Sequence, residues 1–89
     1  PHMGWNKCQA LKPSKVFDSK DEYFYFAHSF HFDGIPSEAR VLETTQGVQI
    51  VAGIEKDNIY GCQFHPERSG NQGLELLRNF CGLITEENI

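Results

Sequence analysis

The chain has 89 residues, with 8 Lys plus Arg against 12 Asp plus Glu and a formal net charge of −4. A core of this size buries only about 60 to 65% of the unfolded surface, so the expectation is one small domain or a piece of a larger one. The acidic balance without a basic stripe argues against nucleic acid as a partner; with no apolar run near the roughly 18 residues that cross a bilayer and no signal-peptide profile, a soluble, cytoplasmic protein with no membrane role is expected.

In chain order, Pro1 to Pro13 is the least regular stretch and holds Trp5, the sole tryptophan. Pro1-His2-Met3 reads either as native chain or as a cloning scar. The run Tyr23-Phe24-Tyr25-Phe26-Ala27-His28 is dense in aromatic residues that favour strands and is too short for a helix, which predicts a buried strand. Asp33-Gly34-Ile35-Pro36-Ser37 is its turn punctuation. Ala39 to Thr45 and Val48 to Ile54 are β-branched runs parted by Gln46-Gly47, the pattern of a hairpin with a tight connection. A second turn at Asp57-Asn58 leads into a strand over Ile59 to Phe64. Past Ser69-Gly70-Asn71-Gln72-Gly73, read as loop and helix entry, the apolar positions Leu74, Leu77, Phe80, Cys81 and Ile84 recur at i, i+3, i+4 spacing. That spacing predicts a C-terminal amphipathic helix with those residues inward, fraying over Thr85-Glu86-Glu87-Asn88.

The last predicted strand stops at His65-Pro66-Glu67. An imidazole with an ordinary pKa near 6.5 can accept a nucleophile's proton at about neutral pH, and a carboxylate fixes its tautomer and stabilises its cation. On an extended backbone side chains two apart share a face, and Pro66 keeps His65 out of the helical region, so His65 and Glu67 are expected side by side in extended chain. A surface His-Pro-Glu turn is the plain alternative. Cys8, Cys62 and Cys81 form neither an even set nor a Cys-x-x-Cys pair, which predicts reduced, buried thiols rather than disulfides or a zinc site. His28 and His31 stand three apart in a strand-like region and point to opposite faces, so no metal site is expected. His28 is read as hydrogen-bonded within the sheet rather than as a second base.

Three blocks then carry a resemblance. They are Pro1-His2-Met3-Gly4-Trp5-Asn6, Tyr25-Phe26-Ala27-His28-Ser29-Phe30, and Tyr60-Gly61-Cys62-Gln63-Phe64-His65-Pro66-Glu67-Arg68-Ser69-Gly70 followed by Gly73-Leu74-Leu76-Leu77-Asn79-Phe80. The third resembles the Gly-x-Gln-Phe-His-Pro-Glu signature of class I (triad) glutamine amidotransferases. All three together resemble the glutaminase subunit of imidazole glycerol phosphate synthase more than its guanylate, anthranilate and carbamoyl phosphate relatives. The resemblance implies an α/β, three-layer fold of which residues 1–89 are the C-terminal half only, a mixed sheet with a hairpin plus the C-terminal helix. The other half would carry the Gly-x-Cys-x-Gly nucleophile elbow, which no cysteine here matches. A start at Pro1 without an initiator methionine agrees with a piece of a longer polypeptide. Alone, such a half would leave a sheet edge and face uncovered, which predicts poor solubility or dimerisation.

The resemblance further implies glutamine hydrolysis through a cysteinyl thioester, with His65 as base and Glu67 orienting it, and no cofactor. Ser29 and Phe30 would hold the amino-acid portion of glutamine through their backbone, Phe30 standing where tyrosine is common. Trp5, Asn6 and Arg68 would face a cyclase barrel subunit that receives the ammonia, Arg68 standing in place of the usual lysine. Without its cysteine this chain alone is expected to be inactive. Two alternatives stay open: a catalytically inactive binding module of the same fold, and a class I amidotransferase that feeds a different synthase.

Overall fold

The computed structural model describes residues 2–18 and 20–87, with side chains as far as residue 83. Its strands are β1 (His2–Ala10), β2 (Glu22–His28), β3 (Arg40–Gln46), β4 (Val48–Lys56) and β5 (Ile59–Cys62), followed by the helix α1 (Gly70–Glu87). The strands form one sheet in the order β2-β1-β3-β4-β5. The expected aromatic strand, hairpin, second turn and C-terminal helix are all present. All four pairings are antiparallel, so the chain's own sheet is not mixed. Parallel neighbours need a crossover of a dozen or more residues, and here the one long helix follows the last strand.

The irregular stretch expected at the start is instead the second strand of the sheet. β1 pairs with β2 from His2↔His28 to Cys8↔Glu22 and with β3 from Cys8↔Thr44 to Ala10↔Leu42. Gly4, Asn6 and Lys7 have poor intrinsic strand preference, and partners on either side override it. In the hairpin, Gly47 alone separates the paired Gln46 and Val48, and its φ of 75° is a conformation glycine adopts without steric cost.

The sheet curls. The β3–β4 register shifts around Leu42, as a bulge that increases twist would produce. Beyond β5, Gln63 N–H still donates to Ala52 of β4 at 2.9 Å, while His65 N–H donates to Tyr25 of β2 at 2.9 Å. The chain therefore crosses from one side of the curled sheet to its far edge between residues 63 and 65. Phe64, 3% exposed, fills the space enclosed. It stacks on Phe24 with centroids 4.0 Å apart and meets Phe26 and Phe17 edge-on. Burying one such ring contributes roughly 1.5–3 kcal/mol. Val16 and Phe17, from the connection between β1 and β2, close the same core, which a short apolar pair in a polar loop does not announce.

Helix α1 turns a different face inward from the one its apolar spacing predicts. Gly73 and Leu76 are buried, and Asn79 donates to the Val16 carbonyl at 2.9 Å. Leu74, Leu77 and Phe80 are 47%, 38% and 37% exposed, and Cys81 is exposed rather than buried. The cause is a close approach at Gly73, where a Cβ would sit 2.0 Å from the Pro66 carbonyl oxygen. Backbone meets backbone there, and this sets the rotation of the helix. Leu77 and Phe80 instead line an apolar groove of about 210 Å³ with Tyr60, Cys62 and Pro66. The helix runs on to Glu87, through Thr85-Glu86-Glu87 where fraying was expected, while the Ile84 side chain and Asn88 lie outside what the structure describes. No described helix is long and apolar enough to cross a membrane.

Candidate active site

Phe64 in the core delivers the next residue, His65, to the surface. His65 is extended (φ −102°, ψ 99°), as a residue before proline must be, but residues Pro66–Arg68 form a 3-10 turn. The pairing expected from strand alternation is thus made by a turn. His65 Nδ1–H donates to Glu67 Oε2 at 3.1 Å. That hydrogen bond is the main reason the Glu67 carboxyl is held below its ordinary value. The two side chains are 40% and 62% exposed, on an open face.

The other ring nitrogen, Nε2, lies 3.4 Å from the Ala27 carbonyl oxygen at the end of β2. Both neighbours of the ring are acceptors, so only a doubly protonated imidazole donates to both. A neutral ring with its hydrogen on Nδ1 keeps an Nε2 lone pair with which to take one proton. This is the hydrogen-bond pattern of a base oriented by a carboxylate.

Ser69, fully buried, locks the turn in place. Its hydroxyl accepts Tyr25 N–H at 2.9 Å and donates to the His65 carbonyl at 2.6 Å. Gln63 Oε1 accepts Phe32 N–H at 3.0 Å, tying the loop after β2 to the chain two residues before His65. Neither side chain is singled out by sequence as part of a site. The signal available was a serine immediately after the Glu67-Arg68 pair and a glycine at 73.

Ser29 and Phe30 follow β2, just beyond the Ala27 carbonyl that faces His65. Ser29 lines a shallow concavity with His2, His28 and His31, and Phe30 is 87% exposed. His28 is hydrogen-bonded, as expected, through Nδ1 to the Phe30 carbonyl at 2.7 Å and through Nε2 to His2 Nδ1 at 2.9 Å.

Trp5 and Arg68 are joined through a residue that sequence reasoning did not assign to the surface. Tyr25 meets Trp5 edge-on at 5.9 Å and lies under the Arg68 guanidinium, 5.4 Å from ring centroid to Cζ. Trp5 is 51% exposed, so it is not a core residue. Asn6 donates to the Thr45 carbonyl at 3.1 Å, which orients it beside Trp5.

Neither Cys8 nor Cys62 is an activated thiol. Burial pushes Cys8 up to about 12. Burial, with the Glu67 charge second, pushes Cys62 up to about 11. Both stay protonated at neutral pH, where a nucleophile needs thiolate character or a base in contact. Among the described residues no group of three or more His, Cys, Asp or Glu side chains is placed to hold a metal ion.

The family model described as glutamine amidotransferase class-I matches residues 1–83. The chain is 48% identical over 86 residues to the imidazole glycerol phosphate synthase subunit HisH of Methanothermobacter thermautotrophicus, covering 94% of this chain and 42% of that protein. It is 46% identical over 82 residues to the same-named subunit of Haemophilus influenzae, covering 90% and 40%. With that of Bacillus velezensis it shares 36% identity over 90 residues, covering 100% and 42%. The chain thus spans about two fifths of the length of the curated relatives it matches. A family match that begins at residue 1 and takes in β1, the aromatic strand, the His65–Glu67 turn and most of α1 leaves one assignment: the chain belongs to the class-I glutamine amidotransferase family.

Proposed function

We propose that residues 1–89 are the C-terminal part of the glutamine amidotransferase subunit of an imidazole glycerol phosphate synthase, a cytoplasmic enzyme of histidine biosynthesis. The nucleophilic cysteine is then supplied by residues outside this chain. In the intact protein His65 Nε2 takes the thiol proton as sulfur attacks the side-chain amide carbon of glutamine. The carbon–nitrogen bond breaks as His65 returns that proton to the nitrogen, and ammonia departs. Water then hydrolyses the thioester, giving glutamate and the free thiol, while Glu67 holds the imidazole throughout. Ser29 and Phe30 hold the amino-acid portion of glutamine, and Trp5, Asn6 and Arg68 face the cyclase subunit that receives the ammonia. On this reading the 89-residue chain alone has no glutaminase activity.

The observation that carries the reading is the 3.1 Å contact between His65 and Glu67 on an open face, anchored from behind by Phe64 and Ser69. The names of the relatives support the choice of synthase. The test is glutamine hydrolysis by the intact gene product with its cyclase. His65→Ala is expected to lower turnover by about 10²–10⁴-fold without unfolding the protein. Wild-type turnover in folded His65→Ala would remove the assignment, and ammonia-dependent product from a different acceptor would identify another class I amidotransferase.

A further inference from the structure

His2 and His28 are cross-strand partners at the end of the β1–β2 ladder. His2 is 4% exposed and its ring stacks on Phe26, with centroids 4.3 Å apart and planes 11° from parallel. Its Nδ1 lies 2.9 Å from His28 Nε2, and His28 Nδ1 lies 2.7 Å from the Phe30 carbonyl oxygen. His2 Nε2 is buried with no hydrogen-bond partner among the described residues.

The hydrogens in this row follow from one fixed end. A carbonyl oxygen only accepts, so His28 Nδ1 carries hydrogen. Burial lowers the pKa of His28, so near neutral pH the ring has one hydrogen and its Nε2 is a bare acceptor. His2 Nδ1 must then donate to it, and the one unpartnered atom of the pair is the buried His2 Nε2. Leaving that buried nitrogen unpaired carries a penalty, and an apolar residue stacked on Phe26 would avoid it. The arrangement gains in exchange a rigid His28 ring, which holds the Phe30 carbonyl two residues along its own chain.

The segment so held is the one beside the base. Ala27, before His28, presents its carbonyl to His65 Nε2 at 3.4 Å. Phe32, at the far end, is tied to Gln63 at 3.0 Å. His28 therefore fixes the middle of a loop whose two ends are already attached to His65 and Gln63.

We propose that His2 and His28 form a tautomer-locked pair whose task is to position the Ser29–Phe30 backbone against His65, which makes His28 a positioning residue for glutamine binding. This rests on the proposed roles of His65 as base and of Ser29–Phe30 as the substrate segment. The pair acts on binding of the amino-acid portion of glutamine and not on proton transfer, so its loss raises KM more than it lowers kcat.

The experiment uses the intact gene product with its cyclase and compares His28→Asn with His28→Gln. An asparagine amide sits where Nδ1 was and can still donate to the Phe30 carbonyl, whereas glutamine places its amide near the Nε2 position and leaves that carbonyl unheld. His28→Gln is expected to raise KM for glutamine roughly tenfold, the size of one net hydrogen bond, with kcat changed by less than about threefold. His28→Asn, which keeps the contact to the Phe30 carbonyl but loses the one to His2, is expected to raise KM less than His28→Gln does. Equal KM in His28→Gln and wild type, beside an inactive His65→Ala, would overturn the positioning role alone. An active His65→Ala would overturn the base assignment and the proposal with it. Ring nitrogen chemical shifts in the wild-type protein test the pair independently of any variant's folding: hydrogen on Nδ1 of both rings is expected, and hydrogen on Nε2 of His28 would overturn the lock.

Discussion

The buried Ser69 hydroxyl donates to the carbonyl of His65 at 2.6 Å, so His65 is held through its own backbone by a side chain four residues on. The same hydroxyl accepts Tyr25 N–H, and His65 N–H bonds Tyr25 O, which together rivet the His65 turn to β2. Ser69→Ala removes the bridge, leaving the Tyr25 N–H without its hydroxyl acceptor and the His65 C=O with only the Arg68 N–H. We expect a loss of about 1–3 kcal/mol of stability by urea denaturation, together with a fall in glutamine turnover of the intact protein. An unchanged midpoint would show that water replaces the hydroxyl.

Two glycines of α1 make opposite predictions. At Gly73 a Cβ meets the Pro66 carbonyl oxygen at 2.0 Å and Ser69 Cβ at 2.9 Å, so Gly73→Ala must push the helix away from the Pro66–Arg68 turn. The expected cost is about 1–3 kcal/mol or more, as for other overpacked sites. At Gly82 an added Cβ meets nothing within 4 Å. Gly82→Ala is therefore expected to stabilise by roughly 0.5–1 kcal/mol through helix propensity. Equal effects at the two positions would contradict the close approach at Gly73.

The parts of the fold legible in sequence are those where local preference and tertiary role coincide. The aromatic run became β2, and the β-branched runs around Gly47 became the hairpin. His65 and Glu67 were legible because Pro66 restricts the backbone wherever the turn sits. β1 was hidden because His2–Ala10 contains glycine, asparagine and lysine, and only pairing on both sides makes it a strand. The inward face of α1 was hidden for a different reason. Apolar spacing selects Leu74, Leu77 and Phe80, but contact at Gly73 decides the rotation, and a missing side chain leaves no hydrophobic signal. Ser69 and His2 are small or polar residues whose importance comes from burial, which spacing does not report.

The thiols and His28 set the pH range of stability. The native fold keeps the Cys8 and Cys62 protons to about 12 and about 11, whereas the unfolded chain releases them from 9.0. Stability thus falls as pH rises above 9.0, by up to ~1.4 kcal/mol per pH unit for each thiol. On the acid side the unfolded chain protonates His28 at 6.5, before the native state does, so stability falls as pH drops from 6.5 to the lowered native value. The Glu67 contribution is present above 4.5 and is lost as pH falls through its lowered native value. Denaturation midpoints against pH should therefore show a plateau between 6.5 and 9.0. Thiol labelling should proceed in the order Cys81, Cys62, Cys8, with Cys8 protected until unfolding.

The ladder Trp5–Tyr25–Arg68 predicts an interface in which an aromatic and an arginine act together. Trp5→Ala and Arg68→Ala in the intact subunit are each expected to weaken binding to the cyclase by about 2 kcal/mol, as anchors of this type do. Because Tyr25 links them, the double variant should lose less than the sum. Unchanged affinity by calorimetry in both single variants would place the cyclase elsewhere.

The central claim is that His65 serves a cysteine lying outside these 89 residues, and trapping the nucleophile tests it most directly. The intact gene product would be treated with a chloroketone analogue of glutamine, digested, and the modified cysteine located by mass spectrometry. The account predicts one adduct on a cysteine beyond this chain, formed at a much lower rate in His65→Ala. Modification at Cys8, Cys62 or Cys81, or a rate indifferent to His65, would contradict it.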